Sequence, residues 1–552
     1  MRFTLAALVC VTLATAADDP LPAADAVISE RLEDLPEPSA APIPDGIKMA
    51  ITATDPKAQQ HVLDGLNHLQ GGWDFEAYRH FCAALAVDPD CLMAHWGVVI
   101  ALLDAEPDLQ DERAAALERM VALVDQEAGT ELERSYAYAL VVFIEKGAAA
   151  AADAFRKISA KFPNDPQLKL LSAAFGRSGY DEQGEAKPEQ VAAEALLAGL
   201  LERNPDQPLL LYAYLTLRAE ARDLRDDLER ARQLCQLAPE YPPFFHLLGH
   251  YELHSGNATL AVEAFTRSGE LYRQWMKANG ISHTDCPGWV KSECYRAVAM
   301  ATKGDYANAL AVAKSVCEIE VPVERTRSEG GQLLLWEART LSARILMRRD
   351  NKGDAALAIA SMPSPESQKK YAQRTMSVWL YMGLAFALEA NKAIDAGDLE
   401  AGRKLLASLT LHGEEMAKRR DTAKAGGEIS AFLRAFNTLQ ICSSELRGLM
   451  AMAGPKEDIG SAFNWYRGAL DRQTPASLLM PPGTLLPMEA RLAEYHLAKG
   501  DPDAAVDILI SAQVRHANDL EILTRLQTAL AKAKHPEQAA EIGKQIEKVK
   551  SE

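Results

Sequence analysis

The stretch Pro242 to Ser268 reads PPFFHLLGHYELHSGNATLAVEAFTRS. Its first half places Phe245, Leu248 and Gly249 at helical spacing, and its second half does the same with Ala261, Phe265 and Ser268. Ser255-Gly256-Asn257 lies between them and supplies a turn. The spacing therefore predicts two amphipathic helices packed face to face, with large residues filling one side and Gly and Ala letting the backbones approach. One further pattern is superimposed: His246, His250 and His254 recur every four residues, which puts them on one face of the first helix.

These residues resemble the tetratricopeptide repeat, a helix-turn-helix unit of about 34 residues with the signature W-x2-L-G-x2-Y, then A-x3-F, then P. Glu252 stands where the family has Tyr. Toward the N-terminus the pattern returns with Gly65, Ala77, Phe81, Ala84 and Pro89, then with Ser135, Tyr138, Ala139, Ala151, Phe155 and Pro163, and again with Tyr214, Leu215 and Ala231. Toward the C-terminus it returns with Ala309 and Ala313, with Ala462, Tyr466 and Ala469, and with two units starting near Leu486 and Leu520. The resemblance implies an all-α superhelical solenoid of roughly ten to twelve helical pairs. The segment Asp88 to Gly97, DPDCLMAHWG, also resembles a group of exported bacterial tetratricopeptide proteins that carry DPDC-x-MA-x-WG and bring no activity with them.

The organisation expected is a signal peptide over 1–16, a flexible Pro-rich leader over 17–55, and an N-terminal array over 56–362 with an inserted loop at 275–290. Irregular helical repeats over 363–480 and a C-terminal repeat pair with a capping helix over 481–552 complete it. The signal rests on Arg2, the apolar run Phe3 to Leu13 and the small residues Ala14-Thr15-Ala16. It predicts a protein exported to the periplasm or secreted, with processing before Ala17. The leader is acidic and rich in Pro, a composition that buries too little apolar surface to offset ordering. The insertion follows from register: the units starting at Pro242 and Val290 are 14 residues further apart than one period, and WMKANGISHTDCPGWV, Trp275 to Val290, carries the excess.

The formal net charge of −18 argues against a nucleic-acid partner, since affinity for phosphates comes from Lys and Arg. No apolar run is long enough to cross a membrane. Cys10 falls within the signal, leaving seven cysteines, an odd number; Cys82 with Cys91 and Cys286 with Cys294 are the pairs nearest in sequence. No nucleophile elbow, phosphate loop, H-E-x-x-H or paired C-x-x-C is present, so no enzyme is expected and no cofactor is required.

What remains is binding. By the resemblance, the residue after the first large signature residue and those one and two turns on face the concave groove, which places His246, His250 and His254 there. Tyr136, Tyr212 and Cys294 take the matching positions in other repeats, and Lys291 joins them. The expected partner is a protein or extended peptide held by this face, with oligomeric state open. The alternative is a transition metal at the histidine helix. His246 to His254 spans about 12 Å, too far for one ion, so a one-turn pair such as His246 with His250 would be completed by His283, Cys286 or Cys294. His61 and His68 lie off the groove positions. Arg344, Arg348 and Arg349, like Lys418, Arg419 and Arg420, are expected on solvated helix faces.

Overall fold

The computed structural model describes residues 22, 24–103, 107–181, 184–371, 378–419, 426–455, 458–473 and 476–551; the signal at 1–16 and Arg420 lie outside them. Among the described residues there is no β-strand, only an isolated bridge between Tyr180 and Ala186. The chain is an all-α superhelical solenoid in which each helix packs on its neighbours in sequence. Local signals set the helix ends. Asp55 accepts from the Lys57 amide ahead of Pro56–Gln70, with Pro56 in the first turn. Thr130 and Glu133 form a reciprocal capping box on Glu131–Lys146.

The deciding hairpin consists of Pro242–His254 and Ala258–Asn279, turned at Gly256 with φ of +87°. Gly249, Ala261, Phe265 and Ser268 are buried as the signature requires, and a Cβ on Gly249 would stand 2.7 Å from the Phe265 ring. Phe245 and Leu248 are only half-buried, whereas Phe244, Leu247 and Tyr251 are fully buried. The first helix is covered on more than the signature face, because it also touches Pro208–Arg218, Leu228–Leu237 and Pro287–Thr302.

The expected loop at 275–290 is mostly helix. Ala258–Asn279 runs for 22 residues and ends where Gly280 takes the left-handed conformation at φ +67°. A 3-10 turn, His283–Asp285, leads directly to Pro287 at the start of Pro287–Thr302. The excess length is thus spent in a longer second helix, leaving only residues 280–286 as a connector.

Residues 25–55 lie along the array, where their composition predicts a flexible spacer. Val27 is fully buried and accepts a hydrogen bond from Tyr78 Oη, which in turn accepts from the Ser29 amide. The amides of Ile47, Thr52 and Thr54 donate to Asn67 Oδ1, Glu133 Oε1 and Asp88 Oδ2 at 2.8, 2.7 and 2.6 Å. Composition could not reveal this, because side chains of the repeats satisfy the leader's backbone and only a few apolar residues, among them Ile43, Met49 and Ile51, are needed to dock it. The stretch Asp88 to Gly97 is held by further contacts. Asp88 holds Thr54, Asp90 pairs with Arg119 at 2.6 Å, His95 donates to Pro89 O, and Trp96 Nε1 donates to Tyr136 O.

The superhelix also closes on itself. Pro56–Gln70 packs on Pro208–Arg218, and Arg79 donates to Asn279 Oδ1. Further along, Asn518 Nδ2 donates to Gly256 O, Tyr306 Oη to Glu521, and Arg491 pairs with Asp350 at 2.7 Å. These last partners are 141 to 262 residues apart, beyond the nearest-neighbour contacts of an open solenoid.

Candidate functional site

The concave interior holds an irregular, bent stretch of the chain's own backbone, residues 476–487, which follows the Ile459–Leu470 helix. Helix formation is blocked here by Pro481 and Pro482, whose missing amides and ring sterics exclude a helical turn. The surrounding repeats donate side-chain hydrogen bonds to its carbonyls. His246 Nε2 donates to Leu478 O at 2.7 Å, and Tyr295 Oη contacts Ser477 O and Met480 O, the latter at 3.0 Å. Arg344 Nη1 donates to Pro482 O at 3.0 Å, Arg348 Nη1 to Leu485 O at 2.8 Å, and Arg434 Nη2 to Pro481 O. The strap's Leu478, Met480 and Leu485 side chains are buried in the main core. Gly483 passes so close to Thr438 that a Cβ would overlap its side chain.

Two carboxylates hold the donors in place. Glu337 is fully buried and pairs with Arg344 at 2.6 Å and Arg434 at 2.5 Å. It sits in a π-helical turn, Leu333–Ala338, a local widening that is frequent where helices carry function. Asp519 pairs with Arg348 at 2.7 Å. Arg344 and Arg348 are each 3% exposed, which corrects the expectation of a solvated face: both charges are desolvated and each is neutralised by a buried acid. Lys418 and Arg419, by contrast, are exposed.

Beside the strap the interior leaves a cavity of about 840 Å³, within the range that small ligands and short peptides occupy. Its wall includes Asp74, Tyr212, His254, Lys291, Glu329 and the strap itself. Lys291 pairs with Glu329 at 2.5 Å. Burial, with the Glu329 carboxylate adding to it, pushes the Asp74 carboxyl up to about 6.

The groove candidates divide. Tyr212, His254 and Lys291 line the cavity. His246 faces the strap instead, and burial brings its pKa down to about 4 with Lys291 acting in the same direction. A carbonyl can only accept, so Nε2 carries the His246 proton and Nδ1 is left facing Ser292 Oγ at 3.0 Å. His250 is fully buried, its Nε2 donating to Ala219 O at 2.7 Å. Tyr136 and Cys294 are fully buried too, Tyr136 donating to Asp165 Oδ2 at 2.8 Å. Tyr136 and His250 face the helices of adjacent repeats.

His246, His250, His283, Cys286 and Cys294 are not gathered into a ligand set. His246 has both ring nitrogens engaged, and His283 packs on Trp289 with ring centres 4.6 Å apart. Burial pushes the Cys286 and Cys294 thiols up, away from the thiolate form that ligates. Among the described residues the trio of potential ligands with donor atoms within 4.8 Å of one another is His68, Glu76 and His80. All seven described cysteines are free thiols.

Sequence reasoning missed Tyr295, Glu337, Arg344, Arg348 and Arg434. A signal for two of them was present: Arg344 and Arg348 are one turn apart in LSARILMRR, beside the apolar residues Leu341, Ile345 and Leu346.

No family model matches the chain, and no curated protein matches it. Solved structures do. A human IFIT1 dimer with m7Gppp-AAAA aligns over 91% of this chain and 96% of its own, at 14% identity and a TM-score of 0.36. The P58(IPK) TPR domain aligns over 86% and 98%, at 14% identity and a TM-score of 0.20. The APC/C hetero-tetramer Cut9-Hcn1 aligns over 89% and 87%, at 12% identity and a TM-score of 0.27.

Proposed function

We propose that this protein is a non-enzymatic scaffold that binds extended peptide segments of a protein partner in its concave interior. The observation that carries the reading is the strap. Side chains from four separate helical segments, His246, Tyr295, Arg344 with Arg348, and Arg434, meet six carbonyls of one non-helical segment while the apolar core takes Leu478 and Met480. Donors aimed at carbonyls recognise main chain in any sequence, and the apolar core adds a preference for aliphatic residues. The neighbouring cavity offers room for a continuation of such a segment or for its side chains. The N-terminal sequence supports a site of action outside the cytoplasm, as a periplasmic or secreted protein; the first residue of protein isolated from its host, read by mass spectrometry, tests this and should be Ala17 or a close neighbour.

The binding reading is tested with a fluorescent peptide spanning residues 476–487 and fluorescence anisotropy. Gly483→Ala introduces a methyl group against Thr438 and should loosen the strap. The peptide is expected to bind this variant at least tenfold more tightly than the wild-type chain, whose interior is already filled. Absence of saturable binding by both proteins would refute the proposal.

A further inference from the structure

The first hairpin carries a second cluster of titratable groups, away from the strap. His61 and His68 are two turns apart on Pro56–Gln70, and Glu76 and His80 are one turn apart on Asp74–Val87. The Gly71-Gly72 turn folds the two faces together, and all four side chains are buried. One donor atom each from His68, Glu76 and His80 lies within 4.8 Å of the others.

The hydrogen bonds fix which nitrogens are available. His80 Nε2 faces Ser39 O at 2.9 Å, so it must carry the proton, leaving the lone pair on Nδ1. Tyr241 Oη lies 3.2 Å from His68 Nδ1 and donates toward His68 O, so Nδ1–H is the donor to the phenol oxygen. With the proton on Nδ1, the lone pair of His68 is on Nε2, which is buried and lies toward the Ser39 backbone. Glu76 is oriented by Arg79, 2.6 Å away, which leaves it able to present an oxygen to a further partner. Each of the three groups thus has an outer partner of the kind that positions metal ligands: a tyrosine, a backbone carbonyl and a guanidinium.

We infer that His68, His80 and Glu76 form a site for a divalent transition-metal ion of the zinc class. Two imidazole nitrogens and one carboxylate oxygen are the donor types such ions take, with a further position left for water or another ligand. His61 is poised to supply it: its Nδ1 is 3.2 Å from His80 Nδ1, and it would exchange that hydrogen bond for the ion. Glu37, exposed and 3.0 Å from His61 Nε2, marks the way in.

The test uses tag-free full-length protein stripped with a chelator, titrated with Zn²⁺ by calorimetry and with Co²⁺ by visible spectroscopy. Expected results are one ion per chain and the intense d–d absorption of low-coordinate cobalt. His68→Phe with His80→Phe should abolish both. Tyr241→Phe keeps every ligand and removes only the partner of His68, so it should weaken binding by about 10–100-fold. Undiminished Zn²⁺ binding in the double variant, or no saturable binding by the wild type, overturns the inference. Should the double variant fail to fold, X-ray absorption of the zinc-loaded wild type decides: at least two imidazoles in the ion's shell are required, and fewer overturn it.

Discussion

Acidification should undo the strap through His246. The imidazole is buried, and its pKa falls from 6.5 to about 4 through that burial, with a contribution from Lys291. The unfolded chain therefore binds a proton on this residue at a pH where the folded chain does not. Stability contributed by the neutral ring is complete above about pH 6.5 and drains away as pH falls toward 4. One pKa unit corresponds to about 1.4 kcal/mol. The loss is then about 2 kcal/mol at pH 5 and about 3 kcal/mol once the ring is protonated in both states. His95 and His254 are also lowered to about 4, chiefly by burial, so the whole protein should be acid-sensitive over this range. A variant isolates the one ring. His246→Gln retains an amide that can donate to Leu478 O and does not titrate; at neutral pH it should cost about 1 kcal/mol, the worth of an imperfect hydrogen bond. By about pH 5 the wild type will have lost about 2 kcal/mol that the variant keeps, so their stabilities should cross. Urea unfolding followed by tryptophan fluorescence at several pH values measures this, provided the slope with urea is the same for both. A gap between wild type and variant that stays constant from neutral pH down to about 5 would refute the reasoning, since it would mean that the ring is not neutral and enclosed.

Gly249→Ala puts a methyl group 2.7 Å from the Phe265 ring and should cost about 1–3 kcal/mol in the urea midpoint, with little change in helix content by circular dichroism. Arg491→Ala removes a buried cation shared by Asp350, Glu445 and Glu494 and should cost about 3 kcal/mol, because Glu445 loses its ion-pair partner while Arg525 still pairs with the other two. Tyr136→Phe keeps the ring and deletes only the hydroxyl that donates to Asp165, so it should cost about 1.5–3 kcal/mol in the same urea assay, the worth of a hydrogen bond to a charged group.

The architecture was legible because it is written in short-range spacing. Gly249 with Phe265, and Gly65 and Gly97 with Phe81, are contacts within a hairpin or between adjacent ones, and their periodicity survives in the sequence. The interior was not legible, for two reasons. Whether a concave position is open depends on how far the superhelix winds, and that rotation accumulates over many small angles between helices. His250 and Cys294 were expected on the open face, yet both are fully buried, His250 against Ala219 O of the preceding repeat. The strap donors are drawn from Pro242–His254, Pro287–Thr302, Arg339–Arg349 and Gly426–Ala453, elements with no local signal that they converge. The leader misled for a related reason: its apolar residues are few, but the partners that satisfy its backbone belong to other repeats.

The contacts that close the superhelix bear on how such a chain can change over evolutionary time. In an open array a repeat can be duplicated or lost, and the rest is merely longer or shorter. Here Asp350 meets Arg491 and Arg525, and Gly256 meets Asn518, across a fixed number of intervening helices. Inserting or deleting one helical pair between them would rotate one partner away from the other and strand buried charges. Repeat number in the second half of the chain is therefore held by the geometry of closure, and length variation should be confined to helix extensions such as Ala258–Asn279, which lengthen the chain without adding a turn to the coil.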